Sequence, residues 1–159
     1  MALESMITNS SYKRIPPVSL NDLQSILEIL NGPAHYSAIV SRKPEYIERQ
    51  IDNYLVYGID EDEVGCCEIF QYANSSAAEI ASLAVVKSYL NQGIGSELVR
   101  EGIKEMCPVG IKLVFALSKA VSHIFTQCGF KQISPEELPE EKLKNYEFQE
   151  SIVYGHSTN

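Results

Sequence analysis

Between Tyr54 and Val86 the chain carries three apolar runs of strand length, "YLVYGI", "VGCCEIFQY" and "EIASLAVV", separated by short polar turns. The acidic turn "DEDE", Asp60 to Glu63, joins the first two, which read as an antiparallel hairpin. Small polar residues around Asn74 and Ser75 turn the chain into the third run. Past Ser96 the apolar spacing changes from strand to helix: Leu98, Val99, Gly102, Ile103 and Met106 mark one helical face, closed by Cys107, Pro108 and Gly110.

The remaining segments fit around that frame. "SLNDLQSILEIL" places Leu20, Leu23, Ile26, Leu27 and Leu30 at helical spacing, with Ser19 as N-cap, and Asn31, Gly32 and Pro33 stop it. A second helix starts at Pro44 with Ile47, Ile51 and Tyr54 as its buried stripe. "KLVFAL" is a fourth strand; Val121, Ile124, Phe125 and Cys128 give another helix, ended by Gly129 in a left-handed conformation. "FKQIS" and "ESIVYG" supply final strands. The order predicts an α+β fold, a mixed sheet with helices packed against it.

With 159 residues, 45% of them hydrophobic, the chain has enough material for one domain with a real core. The expected boundaries are a tail over 1–14, a single domain over 15–155 and a second tail over 156–159 that includes His156. The opening "MALESMITNSSYKR" lacks the apolar core of a secretory signal, and no apolar run is long enough for a membrane span. A cytoplasmic protein without membrane contact is expected. The formal net charge of −8 argues against nucleic acid as a partner, yet allows a small anionic ligand held by backbone amides. Cys66, Cys67, Cys107 and Cys128 show no metal-ligand spacing and read as buried reduced thiols, so no metal is expected. Adjacent Cys66 and Cys67 should face opposite sides of their strand.

"YLNQGIGSELV", Tyr89 to Val99, connects the third strand to its helix. The first N–H groups of a helix lack partners, and the helix dipole adds partial positive charge there. Gly93 and Gly95 let an anion approach that backbone closely, so the turn can cradle a phosphate or pyrophosphate. Read alone, it can equally be an ordinary strand-to-helix turn. It matches neither GxxxxGK[ST] nor GxGxxG.

Taken together, "EIASLAVVKSYLNQGIGSELV" resembles the coenzyme A signature of the GNAT superfamily of N-acetyltransferases. The second half, "KLVFALSKAVSHIFTQCGFKQISPEELPEEKLKNY", is similar to the acetyltransferase domain of N-acetylglutamate synthase, as is "IVSRKPEYIERQIDNYLV" upstream. The resemblance covers roughly Pro17 to Tyr146. It implies a GNAT-type fold with a central, mostly antiparallel sheet. It also implies acetyl-CoA as co-substrate, a small-molecule amine or amino acid as acceptor and a place in arginine biosynthesis. A homodimer is compatible with it.

Residue by residue, the resemblance makes Leu83, Ala84 and Val85 the strand that pairs with the pantetheine arm, and Gln92, Gly93, Ile94, Gly95 and Ser96 the pyrophosphate loop. Leu90 stands where the family has Arg or Gln, and Asn91 where Gly is common; Asn tolerates left-handed dihedrals. Glu79 takes the place of the general base, with an exposed strand-end carboxylate as the plainer reading. Ser118 lies where the family has a serine beside the leaving thiolate, and it can equally cap the helix "KAVSHIF". Phe125 falls where many members have a tyrosine acid, at the coenzyme. Arg42 matches an arginine that clamps the acceptor's α-carboxylate, with the backbone of Val40 and Ser82 lining the same pocket; a solvated charge is the alternative for Arg42. Near the end, Glu150 and Ser151 replace the family's arginines, and Glu150 would repel an acceptor carboxylate. The acceptor is therefore open between glutamate and a cationic amine such as a polyamine or a lysine side chain. A non-catalytic acyl-CoA-binding module is the remaining alternative.

Overall fold

A computed structural model describes residues 12–33, 43–119, 122–145 and 151–158. Ser19 caps the first helical turn as expected: its side chain accepts from the Asn21 N–H, and its own N–H donates to Asp22 Oδ2 at 2.9 Å. That 3-10 turn, Leu20–Asp22, runs into α1, Leu23–Asn31, which buries Ile26 and Ile29. Helix α2, Pro44–Arg49, starts at its proline and buries Ile47. Ile51 lies in a following 3-10 turn and Tyr54 opens a strand, so the expected stripe Ile47–Ile51–Tyr54 is buried but not helical throughout.

Among the described residues seven strands make one sheet: β1 (Lys13–Arg14), β2 (Tyr54–Ile59), β3 (Asp62–Gln71), β4 (Ala77–Val85), β5 (Leu113–Ser118), β6 (Lys131–Gln132) and β7 (Ile152–Ser157). Their order is β1-β2-β3-β4-β5-β7-β6, with every neighbouring pair antiparallel except β4 and β5. The sheet thus takes in Lys13 and Arg14 at one edge and His156 in the strand next to the other edge. His156 is strand rather than tail, with Nδ1 3.2 Å from the Gly129 carbonyl.

Helix α3, Ile94–Met106, supplies Ile94, Leu98 and Val99 to the main core, which also holds Phe125 from α4, His123–Gln127. Helices α1 and α2 cover the opposite face with Ile26, Ile29 and Ile47. Cys67 packs in the first layer and Cys66 in the second, both fully buried, so the pleat turns the adjacent thiols to opposite faces. Burial pushes both thiols up from their ordinary value. Cys107 is exposed and Cys128 half-buried, so the expectation of four buried thiols holds only for the strand pair. A third cluster holds Tyr72, Phe115, Leu117 and Leu138, the last just before a short helix α5, Glu140–Asn145.

Where β3 begins, Glu63 meets Asp22 at the start of α1. Burial first, then the hydrogen bond to Asp22, push the Glu63 carboxyl up from 4.5 to about 7. The folded value lies above the unfolded one. Its stabilising contribution is therefore complete below pH 4.5 and is lost as pH rises through about 7. Glu63→Gln should remove that slope. Its denaturation midpoint, measured against the parent, is expected to gain on the parent between those two pH values; parallel curves would contradict the assignment.

Candidate active site

The central irregularity of the sheet lies in β4. Cys66 pairs with Ala84 and Glu68 with Ala81, so Ser82 and Leu83 together oppose Cys67 alone. This is a β-bulge, and Ser82 adopts a left-handed φ of 53° within it. On the other edge, β4 pairs with β5 only at Ala77–Leu113, Ala78–Val114 and Glu79–Phe115. Both strands continue past that point, to Val85 and Ser118, without further pairing to each other. The sheet therefore forks immediately after Glu79, and β5 turns to β7 instead, with which it pairs through Ser118–Ile152.

The bulge depends on a backbone conformation that favours glycine. Ser82→Val should lower stability by roughly 1–3 kcal/mol, the usual cost of a strained backbone well. Ser82→Gly should stay within about 1 kcal/mol of the parent. Equal losses for both variants in urea denaturation would mean that the side chain matters rather than the dihedral.

Glu79 stands at the fork and is 7% exposed, so the exposed strand-end reading does not hold. Tyr72 Oη donates to its Oε1 at 2.7 Å. The Lys142 ammonium from α5 lies 2.9 Å from Oε1 and 3.2 Å from Oε2. A cleft of about 230 Å³ opens beside it, lined by Tyr46, Glu68, Phe70, Tyr72, Glu79, Ala81, Glu141 and Lys142. Glu68 is fully buried and accepts from Tyr46 Oη at 2.6 Å. It pairs with Ala81 while Phe70 pairs with Glu79, so Glu68 and Glu79 are diagonal neighbours across the two strands.

The glycine turn lies on the other side. Asn91 and Gly93 both have positive φ, 63° and 81°, as the reading of Asn91 anticipated. Gly93 is the N-cap of α3 and no side chain caps it. A Cβ placed there would meet nothing within 4 Å, so the turn is open at the N-cap of α3. Gln92 is exposed beside it, while Ile94, Gly95 and Ser96 are buried in the first turn. The Cys128 thiol lies 3.6 Å from the Ser96 carbonyl, so α4 flanks the turn. Glu97, an acid in that first turn, accepts from Tyr57, whose hydroxyl burial and Glu97 together push up to about 12. An uncapped helix start, left-handed residues and an open approach fit an anionic pyrophosphate.

Alternation along the strands separates the two halves of the site. Glu79 faces the cleft, as Ala77 and Phe115 face the third cluster. Ser118 lies three residues beyond the last β4–β5 pair, about 10 Å along β5, on the opposite face and 5% exposed. It does not cap the following helix. Ser122 does, accepting from the Phe125 N–H at 3.4 Å. Leu83, Ala84 and Val85 are buried, in the part of β4 that β5 leaves unpaired. Phe125, expected at the coenzyme, is fully buried between Phe130 and Tyr154, ring centroids 5.3 and 5.7 Å away; its place is the core rather than a ligand surface. Val40, Arg42, His35 and Glu150 lie outside the described residues. Among the described residues there is no group of His, Cys, Asp and Glu able to hold a metal, and no helix long and apolar enough to cross a membrane.

Residues 50–132 match the acetyltransferase (GNAT) domain. The chain belongs to that family. Its forked sheet and bulged β4 are accordingly those of a GNAT fold. The chain is similar to the amino-acid acetyltransferase of Azotobacter vinelandii, with 26% identity over 91% of this chain and 34% of that protein. The Buchnera aphidicola amino-acid acetyltransferase shares 29% identity over 87% of this chain and 31% of its own length. Among solved structures, N-acetylglutamate synthase from Neisseria gonorrhoeae, complexed with coenzyme A and L-arginine, superposes with a TM-score of 0.81 at 26% identity, over 93% of this chain and 34% of that one. The chain spans about a third of the length of the curated relatives it matches.

Tyr72 and Lys142, the two side chains bonded to Glu79, carry no local signal in the sequence. Lys142 lies 63 residues from Glu79 along the chain. Only the fold brings them together.

Proposed function

We propose that this GNAT domain moves the acetyl group of acetyl-CoA to the amino group of a small molecule, with an amino acid such as glutamate as the leading acceptor. The fork between β4 and β5 carries the reading: the two strands part just past a buried carboxylate, and an uncapped helix start follows β4. The relatives' names support the amino-acid acceptor.

Bound acetyl-CoA would supply an acyl group activated as a thioester. Gln92 to Ser96 would hold its pyrophosphate through backbone N–H groups, and β4 beyond Glu79 would pair with the pantetheine arm like an added strand. Glu79 takes a proton from the acceptor's ammonium, directly or through one water, because only the neutral amine is nucleophilic. Tyr72 Oη, 2.7 Å from Glu79 Oε1, fixes the carboxylate's orientation. Backbone N–H groups of β4 polarise the carbonyl, and the Ser118 hydroxyl assists the leaving thiolate. Arg42, Val40 and Ser82 complete the acceptor pocket in this proposal.

A second reading, a cationic acceptor, is favoured by the three carboxylates Glu68, Glu79 and Glu141 in the cleft wall. On the first reading the partner is a small molecule; on the second it is a polyamine or a lysine side chain. A net charge of −8 disfavours nucleic acid. A homodimer, a cytoplasmic location and a place in arginine biosynthesis are compatible with the glutamate reading.

Thermal shift with acetyl-CoA, followed by thiol release over a panel of amino acids, polyamines and a lysine peptide, tests the proposal. Ligand at a hundred times its dissociation constant should stabilise the fold by about 2.7 kcal/mol. Turnover of glutamate supports the first acceptor, and turnover of polyamine or lysine alone supports the second. Binding without turnover of any amine would make the domain a non-catalytic acyl-CoA binder, and no stabilisation would overturn the proposal.

A further inference from the structure

We infer that Lys142 is an acetylation site, modified within its own chain by the same cleft with Glu79 as the base. The inference rests on the acetyltransferase reading above and adds a substrate to it. An acceptor of that reaction must bring an ammonium nitrogen within reach of Glu79, directly or through one water, lose a proton to it and sit at the fork. The Lys142 ammonium already does the first of these, 2.9 Å from Oε1 and 3.2 Å from Oε2. Its side chain is 13% exposed and that of Glu79 9%. The contrast with Lys144 and Glu140 is direct: that pair, on the same short helix, is 69% and 80% exposed and is an ordinary surface pair. A lysine ε-amine is a competent nucleophile once deprotonated. Tethering it beside the base replaces a bimolecular encounter with an intramolecular one.

The chemistry balances with acetyl-CoA as the acyl donor. One proton passes from the Lys142 ammonium to Glu79. The freed nitrogen lone pair forms a bond to the thioester carbonyl carbon. Collapse of the tetrahedral adduct breaks the C–S bond, whose electron pair leaves on sulfur. The surplus proton on nitrogen goes to the thiolate, and Glu79 returns its proton to water. The products are an Nζ-acetyl-lysine, free coenzyme A thiol and one proton. Acetylation removes the charge that pairs with Glu79, so the modified chain holds that carboxylate ready for a free amine.

The test is intact-mass and peptide mass spectrometry of the full chain after incubation with acetyl-CoA and no added amine. One acetyl group per chain is expected, mapped to Lys142, at a rate per chain unchanged by dilution. Lys142→Arg keeps the ion pair and should abolish the modification. Glu79→Gln should slow it by about 100-fold or more. An unmodified Lys142 would overturn the inference. So would equal rates in parent and Glu79→Gln, which would mark spontaneous acylation, or a rate per chain that falls on dilution, which would mark transfer between chains. Thermal shift in the same samples separates the two failures: stabilisation by acetyl-CoA with Lys142 unmodified contradicts this inference alone, whereas no stabilisation contradicts the acetyltransferase reading with it. Melting of each variant confirms that it is folded.

Discussion

Glu79→Gln is expected to lower kcat for acetyl transfer by about 10²- to 10⁴-fold at neutral pH, the usual contribution of a positioned base. Glutamine keeps the side chain's length and an oxygen able to accept from Tyr72, so the cleft wall should hold its shape. What it loses is the site that receives the proton. Lys142 loses its carboxylate partner too, and the variant should melt lower. A hydrogen bond to a charged group contributes about 1.5–3 kcal/mol; the pair keeps some exposure, which places the expected loss at the lower end. Coenzyme A affinity should stay within a few-fold of the parent, because Glu79 faces the cleft while the glycine turn proposed to hold the pyrophosphate lies beyond the other face. Steady-state thiol release and calorimetric titration of coenzyme A read the two quantities separately. A kcat within a few-fold of the parent would remove Glu79 from the mechanism.

Gly93→Asp should have the opposite profile. Aspartate tolerates the left-handed conformation found here better than most residues do. A Cβ at this position would meet nothing within 4 Å, although the φ of 81° strains any side chain. Aspartate also suits a helix start, where its charge favours the dipole. Aspartate should still cost about 1 kcal/mol of stability in this left-handed backbone. Its carboxylate, however, would occupy the approach to the first-turn N–H groups and repel an incoming phosphate. With each hydrogen bond to a charged group at about 1.5–3 kcal/mol, one lost bond should raise the coenzyme A dissociation constant by roughly 10- to 100-fold. A calorimetric titration unchanged from the parent would mean that the ligand's phosphates lie elsewhere.

Features set by neighbours in the chain were legible in the sequence. Ser19 caps its turn, Pro44 opens a helix, Asn91 and Gly93 take positive φ, and Cys66 and Cys67 split between two cores. Each follows from a local rule about caps, dihedrals or the two-residue period of a strand. The rest depends on contacts far apart in sequence. Ser122 rather than Ser118 caps α4, because β5 continues through Ser118 to pair with Ile152. Phe125 packs inward because Phe130 and Tyr154 enclose it. The bulge at Ser82 exists only relative to the register of β3. Tyr72 and Lys142 reach Glu79 only after the sheet and α5 are assembled.

In the proposed function the main-chain amides opening α3 would grip the diphosphate of coenzyme A. Backbone NMR during a coenzyme A titration addresses this directly. The largest amide shifts should fall on Gln92 to Ser96 and along β4 past Glu79. Shifts gathered instead around the groove of Tyr57, Glu97 and Glu101, with Gln92 to Ser96 unmoved, would contradict it.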